Sequence, residues 1–447
     1  MDRPDIRHQT WRDTYLQPVL VGLVLNLISA ALFIGFVNRP FYDDGFNIVD
    51  VHHYATEGFT RASVMTQKNA PGPTSFAWMA AAVRLIGGNE LRDARVGILF
   101  SWVLLGAILL AGARYGRWPE LWYAALLTLL VFPHAVEAAA TVLTEGPALL
   151  FAVLGALAWT EFVSRADLRP GSFVLGMLGA FSMGVAVTCR QYNMALLPAA
   201  ALLAAVQIPR KAWGPGERWR WISRAAFCLA LSAVPVFALV LVWKGISCPG
   251  IQSGASYKMY KAGAGLTFTR PVVAAMYVGL YLLPVTFPLM LRLKSARRWG
   301  TLAVSVAGGI VAARFSASLI EPGPLNSLVN AAAHVPHGAK IAFALIVAAT
   351  IYDFIAVCFA LSESRKALLL SPVTVFAVLT VLFFLLEQFG VGGNIPFYDR
   401  YILQVAPFIG VIAFALLPKL DNARIAALIG LSALSHVMLW RYFFLRS

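Results

Sequence analysis

Apolar runs of about the length needed to cross a bilayer recur along this chain almost from end to end. Thirteen of them stand out, at 17–37, 95–113, 119–137, 146–164, 172–188, 194–208, 225–243, 271–291, 300–320, 339–361, 370–388, 400–417 and 423–441. A helix needs roughly 20 predominantly apolar residues to span the bilayer core, and a soluble core of this length could not contain so many unbroken runs. The sequence therefore predicts an all-α polytopic integral membrane protein with about 13 transmembrane helices.

The composition and charge of the chain agree with this class. Hydrophobic residues make up 59% of the sequence and charged residues only 13%, against roughly 25% charged in an average soluble protein. The net charge of +15 would suggest a nucleic-acid partner in a soluble chain. Here it is better interpreted as positive-inside anchoring with affinity for anionic membrane lipids, so we expect membrane lipids as partners and no nucleic acid.

The basic loops predict which segments share a side of the membrane. The short run 74–88 decides on which side of the membrane each later loop lies. If it were a span, the basic N-terminus would lie on the side opposite to every later basic loop. If it does not cross, the positive-inside rule holds along the whole chain. We therefore predict one extracytoplasmic segment, 38–94, that contains interfacial helices. The basic residues behind this argument are Arg3, Arg7, Arg12, Arg210, Lys211, Arg218, Arg220, Arg224, Arg292, Lys294, Arg297, Arg298, Arg365 and Lys366.

Several polar residues lie at the predicted outer ends of spans, where ionisable side chains are costly and often functional. Asp43 and Asp44 follow the first run, and Glu145 opens the fourth. A general base together with arginines that bind an anion would use such a set. The further candidates are Lys68, Arg95, Arg190, Tyr192, Tyr398, Arg400 and Tyr401.

Structural explanations stand beside each functional one. Arginines at span ends often serve as interfacial anchors, and tyrosines there can form an aromatic belt. The pair Asp43–Asp44 could cap a helix that starts near Gly45. Adjacent His52 and His53 would point apart on a helix, which favours surface positions over a shared metal site. Arg314 and Asp353, inside predicted spans, could pair with each other.

Short motifs in this chain resemble those of the GT-C glycosyltransferases, which use polyprenyl-phosphate-linked sugars. The first is Phe41-Tyr42-Asp43-Asp44, followed by Lys68 to Pro73, Arg95, Thr144-Glu145 and Arg400-Tyr401. Cys189-Arg190-Gln191-Tyr192-Asn193 and Met65 to Gly72 are similar to elements of the dolichyl-phosphoglucose α-1,2-glucosyltransferases. The chain departs from the family pattern in having Asp43-Asp44 for Asp-Glu, Thr144-Glu145 for Thr-Asp, and prolines separated by Gly72.

This resemblance implies a GT-C-like bundle in a single membrane domain, 1–447. Residues 1–208, including the loop 38–94, would form the catalytic module, and 209–447 would add variable helices and candidate lid loops at 244–270 and 321–338. It implies a hexosyltransferase that moves a sugar from a polyprenyl-phosphate donor to a glycan, lipid or protein hydroxyl at the extracytoplasmic face, in the inner membrane if the cell is bacterial.

The same resemblance implies roles for individual residues. Asp43 or Asp44 would be the general base. Glu145 would be an acidic partner or metal ligand. The resemblance establishes no cofactor, and Mg²⁺ or Mn²⁺ is the candidate divalent metal. The donor would contact Arg400, Arg190, Tyr192, Tyr401, Arg95 and Lys68. A transporter or lipid flippase is the alternative, with charges near mid-bilayer such as Arg314 and Asp353 as its signature.

Overall fold

All regular elements of the computed structural model are helices within the residues that it describes. These residues are 5–40, 43–69, 72–211, 213–245, 248–252, 266, 269–314, 336–363, 370–390, 399–417 and 422–445. The predicted all-α class is confirmed. The helices are α1 (Asp5–Phe36), α2 (Asp44–Glu57), α3 (Arg61–Thr66), α4 (Pro73–Ile86), α5 (Glu90–Tyr115), α6 (Pro119–Val131), α7 (Ala135–Ala140), α8 (Glu145–Arg165), α9 (Pro170–Cys189), α10 (Leu196–Gln207), α11 (Glu217–Trp243), α12 (Pro249–Gln252), α13 (Thr269–Arg292), α14 (Ser295–Arg314), α15 (Gly338–Glu363), α16 (Pro372–Glu387), α17 (Ala406–Leu416) and α18 (Asn422–Leu445), with 3₁₀ turns at Gln191–Ala195, Ile208–Arg210, Gln388–Gly390 and Asp399–Gln404.

The chain is a multi-pass membrane protein, although its spans are less uniform than the sequence predicts. Eight helical segments in the described ranges are long and apolar enough to cross a bilayer, or nine if α13, which bends by 91°, counts as one span. Three predicted spans correspond to the shorter apolar helices α6, α17 and part of α18. The predicted span 300–320 corresponds to α14, which carries arginines at both ends and is not among the eight. The count of 13 is therefore not confirmed.

The segment between α1 and α5 stays at one end of the bundle. Its helices α2, α3 and α4 have 14, 6 and 14 residues, so the longest measure about 21 Å, short of the roughly 30 Å core. The Arg95 side chain, in the first turns of α5, donates hydrogen bonds to the carbonyls of Val37 and Arg39, just beyond α1. The chain thus returns to the end that it left, as expected for 38–94. We call this end of the bundle the Asp43 end.

Gly72 fixes the position of α4 against the end of α9. The Gly72 N–H donates to the Cys189 carbonyl at 3.1 Å, and a Cβ on Gly72 would overlap the Thr188 carbonyl. Only glycine allows this close approach of the two backbones. The residue that separates the two prolines of the family-like motif therefore has a structural requirement of its own.

The most buried part of the molecule lies around α6, α7, α8 and α17, where almost every side chain is inaccessible to solvent. Helix α8 packs against α5 and α9, and α6 packs against α17. At their Asp43 ends these helices lead directly into the polar loops. The core therefore holds those loops against one another.

Candidate active site

The Asp43 carboxylate forms an ion pair across the chain instead of capping α2. Asp43 precedes α2, but its side chain makes no capping hydrogen bond. Its Oδ2 lies 2.5 Å from Nη2 of Arg400. Arg400 is 357 residues further along the chain and is the second residue of the 3₁₀ turn Asp399–Gln404. The Asp43 side chain is 40% exposed and that of Arg400 only 12%. A carboxylate that is fixed and still accessible suits proton transfer better than a helix cap does.

Asp44 has a different environment from its neighbour. Its carboxylate is fully buried, pairs with Nη2 of Arg95 at 2.5 Å and accepts a hydrogen bond from the Val142 N–H. Arg95 is also fully buried and lies over the Phe33 ring. A buried carboxylate without access to solvent cannot reach a substrate hydroxyl. Asp44 and Arg95 therefore attach the start of α2 to the core, one residue away from Asp43.

Arg190 connects the end of α9 to the start of α8. Its Nη1 donates to Thr144 Oγ1 at 2.5 Å, and its Nη2 lies 3.2 Å from Glu145 Oε1. Burial opposes the charge of this guanidinium, but the Glu145 carboxylate and the neighbouring tyrosines raise the pKa of Arg190 above its ordinary value. Arg190 is therefore a permanent, buried cation at the Asp43 end.

Two tyrosines lie among the arginines. The rings of Tyr192 and Tyr401 have centroids 4.9 Å apart. The guanidinium of Arg190 lies 4.9 Å from the Tyr401 centroid, and that of Arg400 lies 5.8 Å from it. The faces of these rings stabilise the cations that surround them.

A third arginine, Arg270, was missed by the sequence analysis. It is 2% exposed, its Nη2 donates to the Tyr192 hydroxyl at 2.7 Å, and its Nε donates to Gln388 at 3.0 Å. Its guanidinium lies 5.8 Å from the Tyr401 centroid. The rule that selected Arg190 would also have found Arg270, because it follows a long polar loop and opens an apolar run.

We call Arg190, Arg270 and Arg400, with Tyr192 and Tyr401, the arginine cluster. The three guanidiniums surround one tyrosine ring and come from three distant parts of the chain. The carboxylates of Asp43 and Glu145 lie against it. Burial opposes the charge of Arg400, but the carboxylates of Asp43 and Glu145 outweigh this effect and raise the pKa of Arg400 above its ordinary value. Glu137 and Glu387 also interact electrostatically with Arg400 and Arg270. The cluster therefore offers an anion three convergent guanidinium groups beside the Asp43 carboxylate, without an excess of positive charge.

The remaining candidates lie apart from the arginine cluster or belong to other contacts. Lys68 is exposed, and its backbone N–H donates to the buried Asp50 carboxylate at 2.9 Å. Asp353 accepts a hydrogen bond from Thr286 at 2.8 Å and does not pair with Arg314, which is exposed at the end of α14. Phe41, Tyr42, Pro71, Tyr398 and most of the two candidate lid loops lie outside the described residues.

The acidic and histidine side chains have protein partners of their own. His52 lies 3.0 Å from Glu90 and His53 lies 3.3 Å from Glu57, so the two histidines do point apart. In the described part of the chain, no group of three or more His, Cys, Asp or Glu side chains could hold a metal ion. Glu145 contacts Arg190, and both of its oxygens are buried.

Comparisons with known proteins give distant structural likenesses. No family model and no curated protein matches the chain. ArnT from Cupriavidus metallidurans in the apo state is similar over 94% of this chain and 78% of its own, at 15% identity and a TM-score of 0.42. The same protein bound to undecaprenyl phosphate is similar over 93% of this chain and 78% of its own, at 14% identity and a TM-score of 0.38. An Archaeoglobus fulgidus oligosaccharyltransferase, tethered to an acceptor peptide containing the NVT sequon, is similar over 89% of this chain and 56% of its own, at 11% identity and a TM-score of 0.31. All three TM-scores are below 0.5.

Proposed function

We propose that this chain is a GT-C-type membrane glycosyltransferase. It transfers a sugar from a polyprenyl-phosphate donor to an acceptor hydroxyl at the Asp43 end, which faces away from the cytoplasm. The observation that carries the proposal is the partly exposed Asp43 carboxylate, which lies 2.5 Å from one of three convergent guanidiniums. A general base beside guanidinium groups that can bind a phosphate is the minimum that this reaction requires.

The proposed chemistry requires few groups. The acceptor hydroxyl loses its proton to the Asp43 carboxylate while its oxygen attacks the anomeric carbon of the donor sugar. The bond between that carbon and the phosphate oxygen breaks, and its electron pair leaves with the polyprenyl phosphate. Arg190, Arg270 and Arg400 hold this phosphate and stabilise the charge that it gains. The products are the glycoside and a free polyprenyl phosphate, and the acceptor proton is on Asp43.

Both parts of the chain contribute to the proposed site. Asp43, Glu145 and Arg190 belong to the predicted catalytic module 1–208, whereas Arg270 and Arg400 belong to 209–447. We therefore propose that the module 1–208 supplies the base and that the later helices complete the phosphate site. Asp44 and Arg95 act in this scheme as positioning residues, and the exposed Lys68 is free to contact the acceptor or donor headgroup at the rim.

Donor turnover by purified protein in detergent tests the proposal. The short likeness to dolichyl-phosphoglucose-dependent enzymes makes polyprenyl-phosphate glucose the first donor to assay, followed by the mannose analogue. We expect release of polyprenyl phosphate that requires an acceptor and is lost in Asp43→Asn. A protein that binds undecaprenyl phosphate but releases no product with any such donor would instead favour a lipid carrier or flippase.

A further inference from the structure

A cavity with a mixed polar and apolar lining lies at the opposite end of the bundle from the arginine cluster. It measures about 360 Å³ and is lined by Arg117, Trp118, Ser164, Gln207, Arg210, Leu370 and Pro372. Helices α5, α8 and α10 begin near the Asp43 end, and the lining residues follow or close their far ends. Helix α16 begins beside the cavity and leads to Gln388, which contacts Arg270. The two sites are therefore separated by the full length of the spans.

The cavity is lined by two guanidinium groups whose donors the protein uses only in part. Trp118 and Ser164 also line it, but Nε1 of Trp118 and Oγ of Ser164 have almost no accessible surface and are not donors to a ligand there. Arg117 donates one hydrogen bond to the Ser164 carbonyl at 3.0 Å, and Arg210 makes a long contact of 3.4 Å with the Leu370 carbonyl. Most of the donors of both guanidiniums are thus available.

The charge around this cavity selects an anion. The segments that surround it, 114–120, 161–169 and 207–224, contain nine basic residues and four acidic ones. Glu161 accepts a hydrogen bond from the Arg117 backbone N–H at 2.7 Å, and its carboxylate pairs with the guanidiniums of Arg165 at 3.7 Å and of Arg117 at 4.0 Å. Guanidinium groups match the oxygens of a phosphate group in charge and in hydrogen-bond geometry.

The position of the cavity favours a lipid phosphate over a soluble one. The lining residues stand at the ends of membrane spans, at the depth where phospholipid headgroups lie, and tryptophan is enriched at that depth. Leu370 and Pro372 add an apolar side to the cavity. A volume of this size is near the lower limit of small-molecule sites, so it suits a headgroup whose acyl chains remain outside.

We propose that this cavity binds the phosphate headgroup of an anionic phospholipid in the leaflet opposite the arginine cluster. The bound lipid joins the loop after α5, the end of α8, the end of α10 and the start of α16, which otherwise meet here through few hydrogen bonds. This proposal is independent of the sugar-transfer reaction.

Lipid binding to full-length protein in a neutral detergent tests the proposal. The probes are short-chain phosphatidylglycerol, phosphatidylcholine of the same chain length, and inorganic phosphate, read out by thermal shift and by native mass spectrometry. We expect phosphatidylglycerol to bind most tightly. Arg210→Gln and Arg117→Gln should each raise its apparent Kd about fivefold.

Matched controls are Arg218→Gln and Arg220→Gln, because both arginines are exposed in the first turn of α11, close in sequence to Arg210, and neither lines the cavity. They should leave the apparent Kd within twofold. Equal losses in all four variants would mean that the lipid responds to general charge, which overturns the built site. A response to inorganic phosphate that Arg210→Gln removes, with no preference for phosphatidylglycerol, would assign the cavity to a soluble phosphate compound and overturn the lipid assignment.

Discussion

Replacement of Arg400 by lysine separates an anchor from a phosphate ligand. Lysine keeps the positive charge, so an interfacial anchor would tolerate the change. It cannot reproduce the planar fork that contacts the Asp43 carboxylate through Nη2 at 2.5 Å while its plane lies near the Tyr401 ring. The substitution should therefore affect catalysis and leave folding intact.

The size of the effect follows from the hydrogen bonds that lysine would lose. A hydrogen bond to a charged group is worth about 1.5–3 kcal/mol, and Arg400 is mostly shielded from solvent with a side chain 12% exposed. Loss of one such bond in the transition state lowers kcat/KM by about tenfold to about a hundredfold. If the contact strengthens as the phosphate departs, most of the loss falls in kcat.

The assay measures polyprenyl phosphate released from a polyprenyl-phosphate sugar by purified protein, with the melting temperature recorded on the same samples. The matched control is Arg92→Lys, since Arg92 is an exposed arginine at the Asp43 end that lies outside the arginine cluster. Arg92→Lys should keep full turnover. If Arg400→Lys also keeps turnover within twofold, Arg400 is an anchor and the phosphate assignment is wrong.

Three further substitutions test the rest of the site. Arg270→Lys should raise the apparent donor KM about tenfold or more, because it removes hydrogen-bond donors to Tyr192 and Gln388 as well as to the phosphate. Tyr192→Phe loses only the hydroxyl and should raise this KM less. Equal increases in the two variants would place Arg270 in a structural role. Asp44→Ala leaves Arg95 buried without its ion-pair partner, which typically costs about 3–5 kcal/mol. It should lower the melting temperature and yield in detergent, and an unchanged melt with lost turnover would instead make Asp44 a catalytic residue.

The convergence of distant span ends could be predicted from the sequence. Placing Asp43, Arg190 and Arg400 at one predicted membrane depth required only the positions of apolar runs and of basic loops. The structure brings these three residues into one set of contacts. Arg270 also lies at the end of a polar loop, directly before an apolar run. The loop 244–270 was predicted as a lid, and Arg270, its last residue, was not predicted as a site residue.

The different environments of Asp43 and Asp44 could not be predicted. Two adjacent carboxylates look equivalent in a sequence, and the distinction depends on where α2 begins relative to α5 and to the backbone near Val142. Asp44 is buried against Arg95 by a tertiary contact between residues that are 51 positions apart in the sequence. The number of spans could not be predicted from the sequence either, because apolar runs do not show that α6 and α17 are short helices packed in the protein interior.

Sugar transfer by Asp43→Asn tests the central claim most directly. The substitution removes the carboxylate charge without changing the size of the side chain, Asp43 is partly exposed, and the amide oxygen of asparagine can still accept a hydrogen bond from Arg400. The protein should therefore fold, with a smaller loss of melting temperature than Asp44→Ala, and still bind undecaprenyl phosphate. Turnover of the polyprenyl-phosphate sugar should fall by about 10²–10⁴-fold, the usual contribution of a positioned general base. Near-full turnover in this variant would contradict the proposed mechanism.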